Sequence, residues 1–320
     1  MKLLVVIVNY RTADLTIEAV QAAMPQLQGL DPEGGQMAIH IVDNESGDGS
    51  YEKLRAAVEE HGWQERVQVI ASPKNGGFAY GNNVAIRPAL EWEQPPELFY
   101  LLNPDAVPDP GCIATLLSFM EGHPDCGIAG SRVHGGDGKA RPTAFRFPSV
   151  ASELESGLRL GLVTRLLSDR IIAPPPPAQA TQVQWLSGAS LMIRRELFET
   201  VGVFDDTFFL YFEETDLCLR SHRAGWKNYY VPEAGVMHIG SVATGLGDKK
   251  KRRPGYWFDS RMHYFRKNHG LGYLLAANAT WATAFAAWRV RRRLQRRPDE
   301  DPEHLLSDFL RHSLAAVARG

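Results

Sequence analysis

Residues 98–111 read LFYLLNPDAVPDPG. Five apolar or aromatic residues, Leu98 to Leu102, run into Asn103-Pro104-Asp105, and two further prolines follow at Pro108 and Pro110. A continuous apolar run closed by turn residues reads as a strand buried on both faces. Its end carries a single carboxylate held between prolines. Four other runs have the same form, at 3–8, 39–42, 67–71 and 127–130. Between them lie segments of helical spacing: Leu15, Ala19, Ala22, Ala23 and Leu27 after the candidate N-cap Thr12, and residues 51–61 after Ser50. Strand alternating with helix predicts an α/β fold with a mostly parallel sheet flanked by helices. In open sheets of this kind ligands bind beyond the carboxyl ends of the strands, so polar residues matter most where a strand stops.

Composition narrows the classes. The chain has 320 residues, 44% of them hydrophobic, enough for one large domain with an appendage or for two modest ones. Lys+Arg 35 against Asp+Glu 37 leaves a formal charge of −2, so no global basic field argues for nucleic acid. Cys112, Cys126 and Cys218 are odd in number and lack C-x-x-C spacing, which fits a reducing compartment better than a disulfide framework or a zinc site. The N-terminal MKLLVVIVNYR stops being apolar at Asn9 with no small-residue cleavage site after it, and reads as a first strand, not a signal peptide.

Each early strand stops in a polar cluster: Asn9-Tyr10-Arg11, then DNESGDGS from Asp43, SPKNGGFAYGNN from Ser72, and NPD. Asp43 can accept from a nucleobase N–H or a ribose hydroxyl, or can form an Asx-turn or helix cap. Gly76, Gly77 and Gly81 let backbone N–H groups approach a ligand, with the amides of Asn75, Asn82 and Asn83 beside them; neither a Walker A loop nor a dinucleotide fingerprint is present. Asp105 suits a hard cation completed by phosphate oxygens, or a turn. In FFLYFEETDLCLR, Glu213, Glu214 and Asp216 follow five apolar or aromatic residues. Crowding and desolvation raise carboxylate proton affinity, as a general base requires, while acids also favour a helix start. His238, after a further strand, offers an imidazole to a metal or phosphate, or is structural.

Past residue 140 come the stiff proline run 174–177, a strand-like stretch at 185–193 with a helix from Arg194, and helical sequence from Tyr256. Residues 271–288 carry no formal charge, and 289–297 contain six arginines.

Taken in order, VVIVNYRTADLTIEAV, IVDNESGDGS, NGGFAYGNN, YLLNPDAVPDPG, GASLMIRRELFETVGVFDDTFFLYFEETDLCLR and VMHIGSVATG resemble the family 2 glycosyltransferases, most closely their rhamnosyltransferase-like branch. The resemblance covers about residues 1–245. It implies a GT-A fold over residues 1–250, with 1–130 binding a nucleoside diphosphate-sugar and 131–250 admitting the acceptor, and a helical, basic extension over 251–320. By the same resemblance Asn9, Tyr10, Arg11, Asp43, Asn75, Gly76, Gly77, Asn82, Asn103 and Asp105 would surround the donor. Trp185, Gly188 and Ala189 would lie on the acceptor side. Asn103-Pro104-Asp105 stands where most relatives have Asp-x-Asp, so Asp105, with His238 as second ligand, would hold Mg2+ or Mn2+. Glu213, Glu214 and Asp216 would be catalytic, with Glu214 standing where an Asp base is commoner.

The activity so implied is inverting, metal-dependent transfer of a sugar, L-rhamnose from dTDP-rhamnose, to a hydroxyl of a lipid-linked or polysaccharide acceptor. A UDP-hexose or UDP-N-acetylhexosamine donor is the alternative, and a non-catalytic sugar-nucleotide-binding module a remote one. A sugar-phosphate nucleotidyltransferase would need a Gly-rich basic loop near the N-terminus, which NYRTADL is not. The expected location is cytoplasmic, on the inner face of the membrane. There, residues 271–297, with Trp281, Phe285 and Trp288 ahead of the arginines, suit an acidic lipid surface; packing on the catalytic domain or a homodimer contact competes with this. The run KKKRR at 249–253 suits a diphosphate, anionic lipid or a solvated loop.

Overall fold

The computed structural model describes residues 1–240 and 250–318. The chain begins β1 (Leu3–Asn9), α1 (Ala13–Leu30), β2 (Met37–Asp43), α2 (Ser50–Glu60), β3 (Val67–Ala71), α3 (Gly77–Leu90) and β4 (Leu98–Leu102). It continues through β5 (Ala106–Pro108), α4 (Cys112–Gly122), β6 (Cys126–His134), β7 (Ala144–Phe145), α5 (Val150–Leu158) and α6 (Gly161–Leu166). Next come β8 (Thr181–Val183), β9 (Trp185–Leu186), β10 (Ser190–Arg194), α7 (Arg195–Val201), α8 (Glu213–Arg223) and β11 (Lys227–His238). Two helices close the described chain, α9 (Gly255–Leu294) and α10 (Leu305–Ala318). All five apolar runs are therefore strands.

The main sheet has the order β3-β2-β1-β4-β10-β6-β11-β5, with β8 paired to β11. Strands β3, β2, β1, β4, β6 and β11 share one direction, while β10, β5 and β8 oppose it. Alternate residues of β1 enter opposite cores. Leu3, Val5 and Ile7 pack with α1 and α4 on one face; Leu4 and Val6 pack with α3, α7, α8, α9 and α10 on the other. All are fully buried, each side chain contributing about 1.5–3 kcal/mol of transfer free energy.

Three local expectations change in detail. Residues 185–193 are not one strand, because Ser187-Gly188-Ala189 breaks the run between β9 and β10 and sends the Ser187 N–H to the Thr143 carbonyl. Ser50 lies inside α2, with Gly49 at the N-cap in the left-handed region (φ 86°). Thr12 does occupy the N-cap of α1 but makes no capping bond, since its N–H and hydroxyl both donate to the Asn9 side-chain oxygen.

The first part of α9, up to the non-helical Gly270 (φ 83°), is built into the second core through Phe258, Met262, Tyr264 and Phe265. The buried ion pair of Arg261 with Glu153 (2.8 Å) joins it to α5. The Arg261 guanidinium also lies over the Phe265 and Phe309 rings, tying in α10.

Candidate active site

Asn9, Arg11, Asp43 and the NGG loop gather where β1, β2 and β3 end. Asn9 is fully buried; its amide nitrogen donates to Asp43 (2.7 Å) and the Ser46 hydroxyl (3.2 Å), and its oxygen accepts from Thr12 and Thr16. Asp43 Oδ1 also accepts from the Ser46 hydroxyl (2.6 Å), and Oδ2 from the Ser46 N–H (3.2 Å). Asp43 thus forms the Asx-type turn and keeps acceptor capacity mainly on Oδ2. Arg11, at φ 56°, donates through Nε to the Ser46 carbonyl and lies over the Tyr10 ring at 5.1 Å.

The NGG loop is locked to these ends. Asn44 donates to the Asn75 side-chain oxygen and to the Gly77 carbonyl (3.1 Å each), and the Asn75 oxygen also accepts from the Gly77 N–H. Gly77 has φ +80°, and a Cβ there would fall 1.7 Å from the Phe209 carbonyl oxygen, which accepts the Phe78 N–H at 2.9 Å. A Cβ on Gly76 would meet the Tyr80 ring at 2.4 Å. Asn82 is buried and bonded to the Phe78 carbonyl within its own helix. The glycines thus let the loop pack closely on Phe209 and Tyr80, while Asn75 and Asn82 brace it.

At the end of β4, Asp105 meets His238 from the end of β11, Oδ1 to Nε2 at 2.9 Å, with the Asn103 amide 3.4 Å from the same nitrogen. The β5–β11 ladder sets this meeting by pairing Ala106 with His238. Asp105 Oδ2 has no hydrogen-bond donor among the described residues. Among those residues no group of three or more His, Cys, Asp or Glu side chains forms a complete cage. An oxygen and a nitrogen that already converge fit a divalent cation whose remaining positions go to phosphate oxygens and water.

The acidic cluster opens α8. Tyr211 and Phe212, both at φ 71°, hold two successive non-glycine residues in the left-handed region directly before Glu213, a strain typical of functional sites. Phe212 thereby becomes the N-cap, and both glutamates enter the first helical turn. Burial, and then the Glu214 charge, push the Glu213 carboxyl well above the usual glutamate range. Burial likewise raises Glu214. Glu214 Oε1 accepts the Gly188 N–H at 3.3 Å, whereas Oε2 of each glutamate is buried without a partner among the described residues. Ala189, next to Gly188, accepts the Asn103 N–H at 3.0 Å. Two short steps along the backbone thus connect Glu214 to the strand end bearing Asp105. Trp185 stacks on Phe145 (centroids 4.2 Å apart) and donates its indole N–H to the Arg146 carbonyl.

Asp216 is placed apart from this pair. It is fully buried and accepts from Arg220, Lys267 and Asn268, each at 2.8 Å, so its oxygens serve the α8–α9 contact and none is left for a substrate. Sequence reading missed the partners supplied by α9. The Ser260 hydroxyl donates to the Leu210 carbonyl, Tyr256 lies against Phe209 and Tyr211, and His263 and Lys267 bind Asp205, whose carboxyl they hold far below its usual range. No local motif marks these residues, because each acts at long sequence separation.

The basic and aromatic stretches also resolve differently. Arg252 forms a two-pronged pair with Asp308 of α10, and Arg253 lies over Trp257. Lys249 and residues 241–245 of VMHIGSVATG fall outside the described residues. Trp281, Phe285 and Trp288 face inward: Trp281 packs on Phe285 and Phe309, and the other two lie beneath Arg159. Among the described residues no helix is long and apolar enough to cross a membrane.

Residues 4–216 match the family model for glycosyl transferase family 2. The N-acetylglucosaminyl-diphospho-decaprenol L-rhamnosyltransferase of Mycobacterium tuberculosis is 30% identical over 226 residues, covering 65% of this chain and 68% of that protein. Rhamnosyltransferase WbbL of Escherichia coli is 28% identical over 167 residues, 51% of this chain and 60% of that one. Among solved structures, S. aureus TarS 1–349 superposes with a TM-score of 0.54 at 13% identity, over 99% of this chain and 81% of that chain. GalNAc-T7 with UDP, GalNAc and Mn2+ gives 0.54 at 16% identity, over 98% and 54%. At these identities the two structures speak for the fold alone.

Proposed function

The chain belongs to glycosyl transferase family 2, and within that family of sugar-transferring enzymes we propose inverting transfer of L-rhamnose from dTDP-rhamnose to a hydroxyl of a lipid-linked or polysaccharide acceptor. The rhamnosyltransferase relatives support the sugar, and the name of the mycobacterial relative supports a lipid-linked acceptor. The observation that carries the chemistry is the linkage of Glu214 through Gly188 and Ala189 to Asn103, two residues from Asp105. It supports reading Glu214 as the proton acceptor beside a strand end that receives the diphosphate.

In this reading residues 1–130 hold the donor, residues 131–250 admit the acceptor, and 251–320 brace the helix that carries the base. Asp43 and Tyr10 receive the nucleoside, and the backbone of the NGG loop faces the diphosphate. Asp105 and His238 would hold Mg2+ or Mn2+, which when bound supplies positive charge to the leaving diphosphate. Glu214 takes the acceptor's hydroxyl proton as that oxygen bonds to the anomeric carbon and the bond from that carbon to the diphosphate oxygen breaks. A single displacement inverts configuration. The raised proton affinity of Glu214, caused by its burial, makes it a stronger base than an ordinary glutamate. Gly188 both orients Glu214 and leaves space, since a Cβ there would meet Phe78 at 3.1 Å. Trp185 and Phe145 form an aromatic wall on the acceptor side.

A thermal-shift panel of dTDP-rhamnose, UDP-glucose and UDP-N-acetylglucosamine, with and without Mn2+, tests the donor. A ligand at a hundred times its Kd stabilises the native state by about 2.7 kcal/mol. A metal-dependent shift with dTDP-rhamnose is expected. A shift only with a UDP-sugar would overturn the donor assignment, and equal shifts with chelator would overturn the metal assignment.

A further inference from the structure

Beyond Gly270, α9 buries one face through Leu274, Ala277, Ala284, Phe285, Trp288 and Arg292. Its opposite face runs Leu275, Ala279, Thr283, Ala286, Val290 and Leu294 at three- and four-residue steps, all exposed. Val290 is 59% and Leu294 80% exposed, and no charged residue occurs from 271 to 288. A water-facing helix surface normally carries charge on its outer side, and an uncharged one about five turns long marks an interaction face.

A second apolar group adjoins it. Leu160, Leu162 and Leu166, in and beside α6, are 39%, 65% and 73% exposed. Arg291 of α9 donates to the Leu158 and Arg159 carbonyls, and Arg159 lies over Phe285 and Trp288, so this segment borders the end of α9. The charge around the border is positive. Arg165, Arg293, Arg296 and Arg297 are exposed and make no ion pair with a carboxylate among the described residues. Of the nearby acids, Asp299 and Asp301 are taken by Arg292 and Arg159 and Asp169 by Arg170, leaving Glu300 and Glu303 exposed.

We propose that this surface, the outer face of α9 from Leu275 to Leu294 with Leu160, Leu162 and Leu166, lies flat on a bilayer of anionic lipids. The leucines, valine and alanines enter the headgroup–acyl boundary, and the four arginines meet lipid phosphates. The occupied face is opposite to the one bearing Trp281, Phe285 and Trp288. Its position also has a consequence for the site. The strand of chain after α6 is tied to Arg146, which donates to the Ser168 and Ile171 carbonyls and accepts the Trp185 indole N–H. Docking thus sets the acceptor wall beside the lipid, where a lipid-linked hydroxyl can reach Glu214. That consequence rests on the proposed acceptor; the docking does not.

The test is co-sedimentation of the full chain with phosphatidylcholine vesicles, with and without phosphatidylglycerol, at low and high salt. Binding is expected only to the anionic vesicles and should weaken with salt. The triple variant R293Q/R296Q/R297Q should bind about a hundredfold more weakly, from roughly fivefold per arginine. L162Q/L166Q/L294Q should also lose binding while its unfolding transition and its thermal shift with nucleotide-sugar match wild type. Equal binding to neutral vesicles, no binding, or unaltered binding by both variants overturns the proposal. So does a concentration-dependent dimer that the leucine variant abolishes while vesicle binding persists, which would make this face a contact between copies. Docking without any nucleotide-sugar shift would instead refute the transferase reading and leave the docking standing.

Discussion

Replacing Glu214 by Gln removes the ability to accept a proton and changes little else. The Gln side-chain oxygen can still accept the Gly188 N–H now bonded to Glu214 Oε1 at 3.3 Å, and its NH2 takes the place of Oε2, which has no partner among the described residues. Loss of a general base slows turnover by about 10²–10⁴, or about 2.7–5.4 kcal/mol of transition-state free energy. Donor affinity should stay within a few-fold of wild type, because Asp43, the NGG loop and Asp105 are untouched. Stability should move the opposite way to activity. Both glutamates have raised proton affinity through burial. Their stabilising contribution is complete below the ordinary glutamate range and is lost as pH rises through the raised values. Glu214→Gln escapes that loss, so its advantage in unfolding free energy should grow with pH above about 4.5 and then level off. The assays are initial-rate transfer at saturating donor, donor binding by calorimetry, and urea unfolding across pH. Turnover within threefold of wild type would refute Glu214 as the base. A variant less stable than wild type at pH 7 would refute the buried-pair account.

Gly77→Ala should cost about 1–3 kcal/mol of stability and lower activity at least tenfold, because its Cβ would fall on the Phe209 carbonyl and open the contact between the donor loop and the loop before Glu213; denaturant midpoints and initial rates check both. Lys267→Met leaves Asp216 with Arg220 and Asn268 alone, so unfolding free energy should drop by about 1–3 kcal/mol, and kcat should fall more than KM rises as α8 loosens. Arg261→Met strands the buried Glu153 carboxylate and should cost about 3–5 kcal/mol, while the double change with Glu153→Leu should recover most of it; a double-mutant cycle by urea unfolding decides.

The N-terminal half was legible because its signals are local. Buried parallel strands are continuous apolar runs, the loops after them carry the ligand-facing groups, and backbone glycines announce close approach; so the five strands and the ends at Asn9, Asp43, Gly76 and Asp105 could all be read along the chain. The strand-like run at 185–193 misled for a related reason: hydrophobicity reports burial, and a buried Leu186-Ser187-Gly188-Ala189 that bends away to donate to Glu214 looks the same as one that stays in register. Acidity at the start of α8 was equally readable as a helix start and as a catalytic cluster; the structure sets Glu213 and Glu214 in the first turn of that helix.

By itself, then, the sequence determined the α/β architecture, the family, and which strand ends carry polar chemistry, since these follow from periodicity and from residue types close together in the chain. Only the tertiary structure decided how those residues divide their work. It turned Asp216 to the donors of α9 and away from Glu214, brought His238 to Asp105 across 133 residues, and faced Trp281, Phe285 and Trp288 inward so that the other side of α9 meets solvent. Hydrogen-bond partners and the buried side of a helix depend on what packs alongside, and contacts between distant segments leave no mark in the local pattern of either one.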